Sequence, residues 1–307
     1  MSKAKYYNED LKLKFAAEAE VPPSYKRYAA QLFSVSYSKE EELQKDIGQW
    51  PRSEIIKFLE ENVSFAYGTY KTHIFSLNAY LLWYDKEFSP IELQEVEFSK
   101  VQKNNLFGSP EDLQNWLDKA FDPIKLNSLA ILHRTHAWLC YMGIPDSDLL
   151  QIDIPDVNTA KKIISVGGVN YRIPNEAIPT IKRCKSLEEF IKYGSTIYKV
   201  NRIEGTMFLR RTNEGKDHDK QVKQWLRRAS IASKLPVQVQ AIRRSGIFYR
   251  MYTLEKEGIA PNYLQAYSEF AEGASDWIRN NRKSVYISST KIEYEAWKKA
   301  FYPETKI

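Results

Sequence analysis

The chain has 307 residues, 43% of them hydrophobic, which is enough for one large or two ordinary globular domains. It contains no apolar run of about 18 residues, and no hydrophobic segment follows its charged N-terminus, so neither a membrane span nor a secretory signal is predicted. We therefore expect a cytoplasmic protein. Cys140 and Cys184 form neither a CxxC motif nor another metal-ligand spacing, which favours reduced structural thiols.

Charge is distributed unevenly along the chain, whose formal net charge is +6. Residues 1–122 contain 15 Lys and Arg against 20 Asp and Glu, whereas the remainder contains 30 against 19. The positive charge therefore belongs to the C-terminal part. Such an asymmetry favours a polyanionic partner, although a merely solvated basic surface is the alternative.

The N-terminal part is predicted to be helical after an irregular start. The first residues show no long helical period and contain Pro22-Pro23, so residues 1–37 are interpreted as an arm or lead-in. Ser38 and Ser109 are suitable N-caps for helices that follow them. Amphipathic patterns occur at 38–50, 50–62, 69–87 and 110–121. They predict a helical domain over residues 38–122.

The C-terminal part is predicted to combine helices with a small sheet. An apolar helix over 127–143 ends at Gly143, and Gly167-Gly168 separates AKKIISV from VNYRIP, the pattern of a β-hairpin. TIYKV and EGTMFLR indicate a further strand, and helical patterns then return. The predicted fold class is mainly α with a small antiparallel β-sheet (α+β), in which residues 123–307 form a mixed second domain.

Several common catalytic motifs do not occur in the chain. GxxxxGK[ST], GxGxxG and GxSxG are all missing, so no nucleotide cofactor is expected. His133 and His136 lie three residues apart on an apolar helix without an evident third ligand. Packed imidazoles are therefore expected there in preference to a metal site.

The most informative local feature is a basic segment, RRASIASKLPVQVQAIRRSGIFYRMYTLEKEG, at residues 227–258. Arg227, Arg228, Arg243 and Arg244 lie in it, and no acidic residue precedes Glu255. Arginine side chains on an exposed helix face can bind phosphates through forked, charge-assisted hydrogen bonds. A helix face that is only solvated is the alternative interpretation.

The order of the motifs resembles that of the tyrosine recombinases, the phage-integrase family. TYKTHIFSLNAYLLWY is similar to a helix of their core-binding domain, and LAILHRTHAWLCYMGIPDSDLLQIDIPDV is similar to the segment that carries their first catalytic arginine. AKKIISVGGVNYRIP resembles their β-hairpin, and VQAIRRSGIFYRMY resembles a motif in which histidine precedes arginine by three residues. The resemblance covers about residues 38–300 and implies a two-domain clamp around duplex DNA.

The resemblance also implies that much of the recombinase chemistry is lost. The first arginine position falls on Pro145, which has no side-chain donor, and Asp148 matches an acidic residue beyond it. The histidine position falls on Gln240, and its arginine is retained as Arg243. The hairpin lysine has no match at Gly167-Gly168.

Two further family positions are less clearly matched. Lys161 and Lys162 lie earlier on the hairpin strand than the family's lysine. The nucleophile position falls on Tyr294, but Tyr286 and Tyr302 are close in the sequence. The resemblance therefore leaves the identity of the matching tyrosine open.

The leading hypothesis is a non-catalytic, sequence-specific double-stranded DNA-binding protein. Operator or promoter DNA would be its partner, and repression in a phage or prophage that maintains lysogeny would be its role. No membrane partner is expected, and a small protein or peptide regulator is a partner that the sequence leaves unidentified. The residues expected to contact DNA are Lys71, Thr72, Ser76, Lys161, Lys162, Arg172, Arg227, Arg228, Arg243 and Arg244.

Two alternatives remain open at this point. The first is an active recombinase that cleaves DNA through a tyrosine nucleophile. The second is a helical regulator that binds other proteins and no nucleic acid. A covalent protein–DNA adduct would distinguish the first, and failure to bind DNA at low salt would distinguish the second.

Overall fold

The computed structural model describes residues 6–121, 128–149, 152–187, 190–193, 196–202, 209–211, 239–270 and 283–303. The helices of the first part of the chain are α1 (Glu9–Glu18), α2 (Pro23–Leu43), α3 (Arg52–Asn62), α4 (Tyr67–Tyr84), α5 (Phe98–Asn105) and α6 (Pro110–Ala120). Those that follow are α7 (Ser128–Tyr141), α8 (Asp146–Leu149), α9 (Ile178–Lys185), α10 (Val239–Lys256), α11 (Tyr263–Phe270) and α12 (Lys283–Phe301).

The strands form two small antiparallel sheets. One contains β1 (Val157–Asn158), β2 (Ile163–Val166) and β3 (Val169–Arg172), and the other contains β4 (Phe190–Tyr193), β5 (Thr196–Arg202) and β6 (Leu209–Arg211). The expected fold class, mainly α with a small antiparallel β component, is therefore confirmed, although the described strands make two sheets instead of one. No described helix is long and apolar enough to cross a membrane.

The chain divides into two compact units whose limits differ from the predicted boundary at residue 122. The N-terminal unit combines Met1–Asn105 with Ser284–Lys306, and the C-terminal unit comprises Leu106–Lys283. Helix α6 explains the difference, because its Leu113 and Leu117 are buried in the hydrophobic core of the C-terminal unit. The amphipathic pattern of α6 predicts the helix correctly but does not specify which core it joins.

Helices α1 and α2 correct the expectation of an irregular lead-in over residues 1–37. Phe15 of α1 and Phe33 of α2 lie in the core of the N-terminal unit, exposed by only 1% and 2%. Pro23 occupies the first turn of α2, where its missing N–H is not needed and its fixed φ suits the helix. The proline pair thus begins a helix, and Ser38 lies inside that helix instead of capping a new one.

A buried ionic network joins α1 to α2 in the N-terminal unit. Lys12 Nζ lies 2.6 Å from both carboxylate oxygens of Glu40 and 3.7 Å from Asp46 Oδ2. The Ile47 N–H donates to Glu40 Oε1 at 2.7 Å, and the Tyr80 hydroxyl donates to Asp46 Oδ1 at 2.7 Å. The two carboxylates are therefore compensated by one cation and by directed hydrogen bonds.

Helices α7 and α10 pack backbone against backbone in the C-terminal unit. A Cβ atom added at Gly246 of α10 would lie 1.7 Å from the carbonyl oxygen of Tyr141 in α7. Only glycine permits this approach, which brings Ile242 of α10 into the same core as Trp138 of α7. Ser245, next to the glycine, accepts a hydrogen bond from the Phe107 N–H at 2.9 Å.

Candidate nucleic-acid interface

The β2–β3 hairpin positions three of the predicted basic residues. Gly167-Gly168 forms its two-residue turn with φ angles of 59° and 75°, which confirms the predicted hairpin. Lys161 and Lys162 precede β2, and Arg172 ends β3. The Ile173 N–H donates to the Lys162 carbonyl at 2.8 Å, so the two basic ends of the hairpin are held side by side.

These three basic residues, the hairpin cations, are exposed and are not neutralised by nearby acids. Lys162 Nζ donates to the amide oxygen of Asn175 at 2.7 Å. Within the described part of the chain, no carboxylate lies within 4 Å of the charged group of Lys161, Lys162 or Arg172. The hairpin therefore presents cationic groups to solvent that are free to bind an anion.

Several cations of the N-terminal unit are paired with acidic residues. A carboxylate oxygen lies within 2.5–3.3 Å of the charged nitrogen in each of several lysines and one arginine, namely Lys12, Lys39, Arg52, Lys100 and Lys299. By sequence, this unit has 18 Lys and Arg against 19 Asp and Glu, and the C-terminal unit has 27 against 20. The C-terminal unit is thus the one with a positive field for a polyanion.

Helix α9 adds two basic residues that the sequence analysis did not select. Lys182 and Arg183 are exposed in its last turn, and neither forms an ion pair with a described residue. The cluster of basic residues in IKRCK, at the C-terminal end of this helix, is a sequence pattern from which these two cations could have been predicted. It also suits the negative end of the helix dipole, so a purely local role would explain it equally well.

The corner after α7 forms the turn that the sequence predicts. Helix α7 ends at Tyr141, and Gly143 has a φ of 83°. The Asp148 and Leu149 N–H groups both donate to the Pro145 carbonyl at 3.0 Å, which starts the short helix α8. At the position where the recombinase resemblance expects an arginine, the side chain therefore offers no hydrogen-bond donor.

Arg243 is buried at this corner, contrary to the expectation of a DNA contact. Only 3% of its surface is exposed, and its Nη2 donates to the Ile144 carbonyl at 3.2 Å. The charged helix face predicted for α10 is therefore partly interior, because α10 packs closely on α7. Gln240 is exposed in the first turn of α10, and Arg244 is half-buried.

Tyr294, the predicted nucleophile position, lies in the N-terminal unit, whereas Pro145, Gln240 and Arg243 belong to the C-terminal unit. Its side chain is completely buried and stacks on Trp297 with a ring-centroid distance of 6.1 Å. Two contacts hold its helix, α12, within the unit: the Tyr67 N–H donates to Glu293 Oε1 at 2.7 Å, and Lys299 pairs with Glu97 at 3.3 Å. Tyr294 therefore has a packing role here.

Helix α4 offers fewer accessible polar groups than its sequence suggests. Ser76 is completely buried and donates to the Thr72 carbonyl at 2.6 Å, so it is not available to DNA. Thr72 is half-buried and donates to the Gly68 carbonyl, and Lys71 lies over the ring of Tyr67 at 4.9 Å. The correction for Ser76 arises because α2 packs along α4 and covers that side.

Arg227 and Arg228 lie outside the described residues. The structure does describe the two histidines of α7, and both are buried. His136 Nε2 lies 3.5 Å from Cys140 Sγ, and burial lowers the pKa of His133 to about 3, which keeps its imidazole neutral. Within the described ranges, no group of three or more His, Cys, Asp or Glu residues is arranged to hold a metal ion.

Comparison with known proteins finds similarity to one family model in the N-terminal unit and to solved structures. A protein-family model described as MrpR, N-terminal core-binding domain, matches residues 6–86, which contain α1–α4. Among solved structures, a crystal structure of XerA recombinase matches with 11% sequence identity over 98% of this chain and 99% of that chain. Its TM-score of 0.40 is too low to assign a common fold. No curated protein sequence matches the chain.

Proposed function

We propose that the protein binds double-stranded DNA sequence-specifically without cleaving it, as a transcriptional repressor that maintains phage or prophage lysogeny. The observation that carries the proposal is the exposed, unneutralised set of hairpin cations in the positively charged unit. Such groups release counterions from DNA when they bind phosphates, which supplies most of the affinity for a duplex. The core-binding-domain match over residues 6–86 supports the same partner.

Three positions support binding without cleavage. Phosphoryl transfer depends on charges aimed at the phosphate, and one transition-state arginine can contribute about 10³–10⁵ in rate. Pro145 has no such group, Arg243 is directed at a backbone carbonyl, and Tyr294 is completely buried. DNA affinity relies instead on many distributed contacts, so it survives the loss of these few groups.

Repression follows from stable occupancy of a site that is not cut. A protein of this kind would act by covering promoter DNA, whereas a recombinase would act at attachment sites. Mapping the host or phage genome fragments that the protein retains distinguishes the two roles. Enrichment of promoters is expected, and enrichment of attachment sites alone would contradict repression.

Replacing all three hairpin cations, in the variant Lys161→Ala/Lys162→Ala/Arg172→Ala, should weaken DNA binding at every site. Each lost phosphate contact lowers the slope of log affinity against log salt by about 0.9, so the slope should fall by roughly 2–3. Fluorescence anisotropy with a retained genomic fragment at several salt concentrations measures this. The control is Lys39→Ala, because Lys39 is already paired with Glu54 at 2.6 Å.

An unchanged salt slope in the triple variant would place the DNA-binding surface elsewhere. Failure of the wild-type protein to bind any fragment at low salt would overturn DNA binding itself and favour a protein-binding role.

A nicked duplex that contains a retained site should form no covalent adduct with the wild-type protein. The reason is that Tyr294, the residue matched to the nucleophile position, is completely buried, and that neither Pro145 nor the buried Arg243 offers a charged group to a phosphate. Denaturing electrophoresis of the labelled duplex detects an adduct, and Tyr294→Phe is the comparison. An adduct that forms with wild type and disappears in Tyr294→Phe would establish an active recombinase.

A further inference from the structure

The C-terminal unit contains a pocket that does not include Pro145 or Arg243, the two residues matched above to recombinase arginine positions. It has a volume of about 430 Å³, within the range of small-ligand sites. Its floor is apolar, because it includes the buried side chains of Met142 and Ile173. Leu254 of α10 also lines the pocket, and 44% of its apolar side chain remains exposed to solvent.

The rim of this pocket carries charges of both signs. Lys162 and Arg172 come from the hairpin, Glu176 follows it, and Glu257 follows α10. None of these four side chains forms an ion pair with any residue that the structure describes. The pocket thus combines an apolar floor with two cations and two carboxylates that form no ion pair with a described residue.

The third cation of the pocket, Arg250, is already paired within the protein. Its Nη2 pairs with Glu269 at 2.5 Å, and its Nη1 donates to the Met142 carbonyl at 2.7 Å. Arg250 therefore has a structural role in the pocket wall. A charged group of a ligand would pair with one of the four rim residues instead.

We propose that this pocket binds a short apolar peptide with free termini. A simple organic anion or a DNA phosphate would engage only the cations and would leave the two rim carboxylates and the apolar floor without a partner. A free peptide carries a carboxylate at one end, an ammonium group at the other and apolar side chains between them. The forked guanidinium of Arg172 suits the carboxylate, and Glu257 and Glu176 suit the ammonium group. Lys162 and Arg172 belong both to this pocket and to the hairpin cations, but peptide binding in the absence of DNA does not depend on the proposed DNA function.

Methyl NMR of methionine-labelled protein tests the proposal directly. The chain has four methionines, and Met142 is the one on the pocket floor. The probe is an equimolar mixture of tripeptides made from Leu, Ile, Val and Phe with free termini, added in the absence of DNA. A saturable shift of the Met142 methyl resonance, assigned with Met142→Leu, is expected.

The charged rim is tested by matched changes in peptide and protein. Amidating the peptide carboxylate and replacing Arg172 by alanine should each weaken binding about tenfold. The amidated peptides should lose nothing more on Arg172→Ala, because the two changes remove the same contact. N-acetylation of the peptides and the variant Glu176→Gln/Glu257→Gln should likewise each weaken binding. The acetylated peptides should lose no further affinity in that variant.

Lys256→Ala is the matched control, because Lys256 precedes Glu257 but lies over the ring of Tyr252 and does not line the pocket. Its affinity for the tripeptides should equal that of the wild type. The proposal is overturned if no saturable Met142 shift occurs up to millimolar peptide, or if the amidation and Arg172→Ala losses simply add.

Discussion

Replacing Lys12 with alanine should destabilise the N-terminal unit by about 3–5 kcal/mol, because it leaves Glu40 and Asp46 buried without their cation. Lys12 is exposed by only 2% and Glu40 not at all, so water does not substitute for the lost charge. Native-state hydrogen exchange of the α2 amides measures the loss, since exchange reports on each unit separately.

The effect of Lys12→Ala should depend on pH. Burial is the main reason that the pKa of Glu40 is raised above its ordinary value, and the Lys12 hydrogen bond opposes that rise. Removing Lys12 raises the folded-state pKa further. A carboxyl with a raised folded-state pKa loses stability as pH rises through that value, so the deficit should shrink as pH falls toward the ordinary glutamate range.

Lys14→Ala provides the control for Lys12→Ala on the same helix. Its side chain is 60% exposed and only 4.0 Å from Glu18, so little stability depends on it. Equal α2 protection in Lys12→Ala and Lys14→Ala would mean that the buried network contributes nothing to folding. The double variant Lys12→Met/Glu40→Met should recover part of the loss, because it removes one of the two buried carboxylates that Lys12→Ala leaves without a cation.

Gly246→Ala should destabilise the C-terminal unit by about 3 kcal/mol or more. The new Cβ would meet the carbonyl oxygen of Tyr141 at 1.7 Å and its carbonyl carbon at 2.6 Å. Both are backbone atoms of the last residue of α7, so relief requires that α7 and α10 separate there. Hydrogen exchange in α7 and α10 should accelerate, whereas exchange in α1 and α2 should not.

Gly68→Ala is the matched control for the glycine substitution. Gly68 also lies in a helix, but no heavy atom is within 4 Å of an added Cβ atom. Its stability should be unchanged or slightly higher, since alanine favours the helix over glycine. If Gly246→Ala behaved in the same way, the close approach of α7 and α10 would have to be wrong.

Local patterns predicted much of the secondary structure. Gly167-Gly168 specified a hairpin because both glycines adopt positive φ, and Ser109 specified the start of α6 because its hydroxyl accepts the Asp112 N–H at 3.1 Å. Pro22-Pro23 was misread, because a proline in the first turn of a helix and a proline that breaks one look alike in sequence. The two cases differ in whether the residues after the proline pack into a hydrophobic core, as those of α2 do.

The candidate site was predicted less completely than the fold. The hairpin cations are exposed, and their proximity follows from the strand register, while their contact with DNA stays a prediction. Arg243 and Ser76 were selected for their residue type and position on a helical wheel, but both are buried. A helical wheel identifies an apolar stripe and cannot show that a second helix covers the polar side as well.

The sequence by itself determined the features that depend on neighbouring residues: most of the helices, the hairpin turn and the corner at Pro145. Only the tertiary structure decided which core each element joins and which charges are buried. Lys12 meets Glu40 across 28 positions, and Tyr67 meets Glu293 across 226. Such contacts are set by the packing of distant segments, and no local period in the chain encodes them.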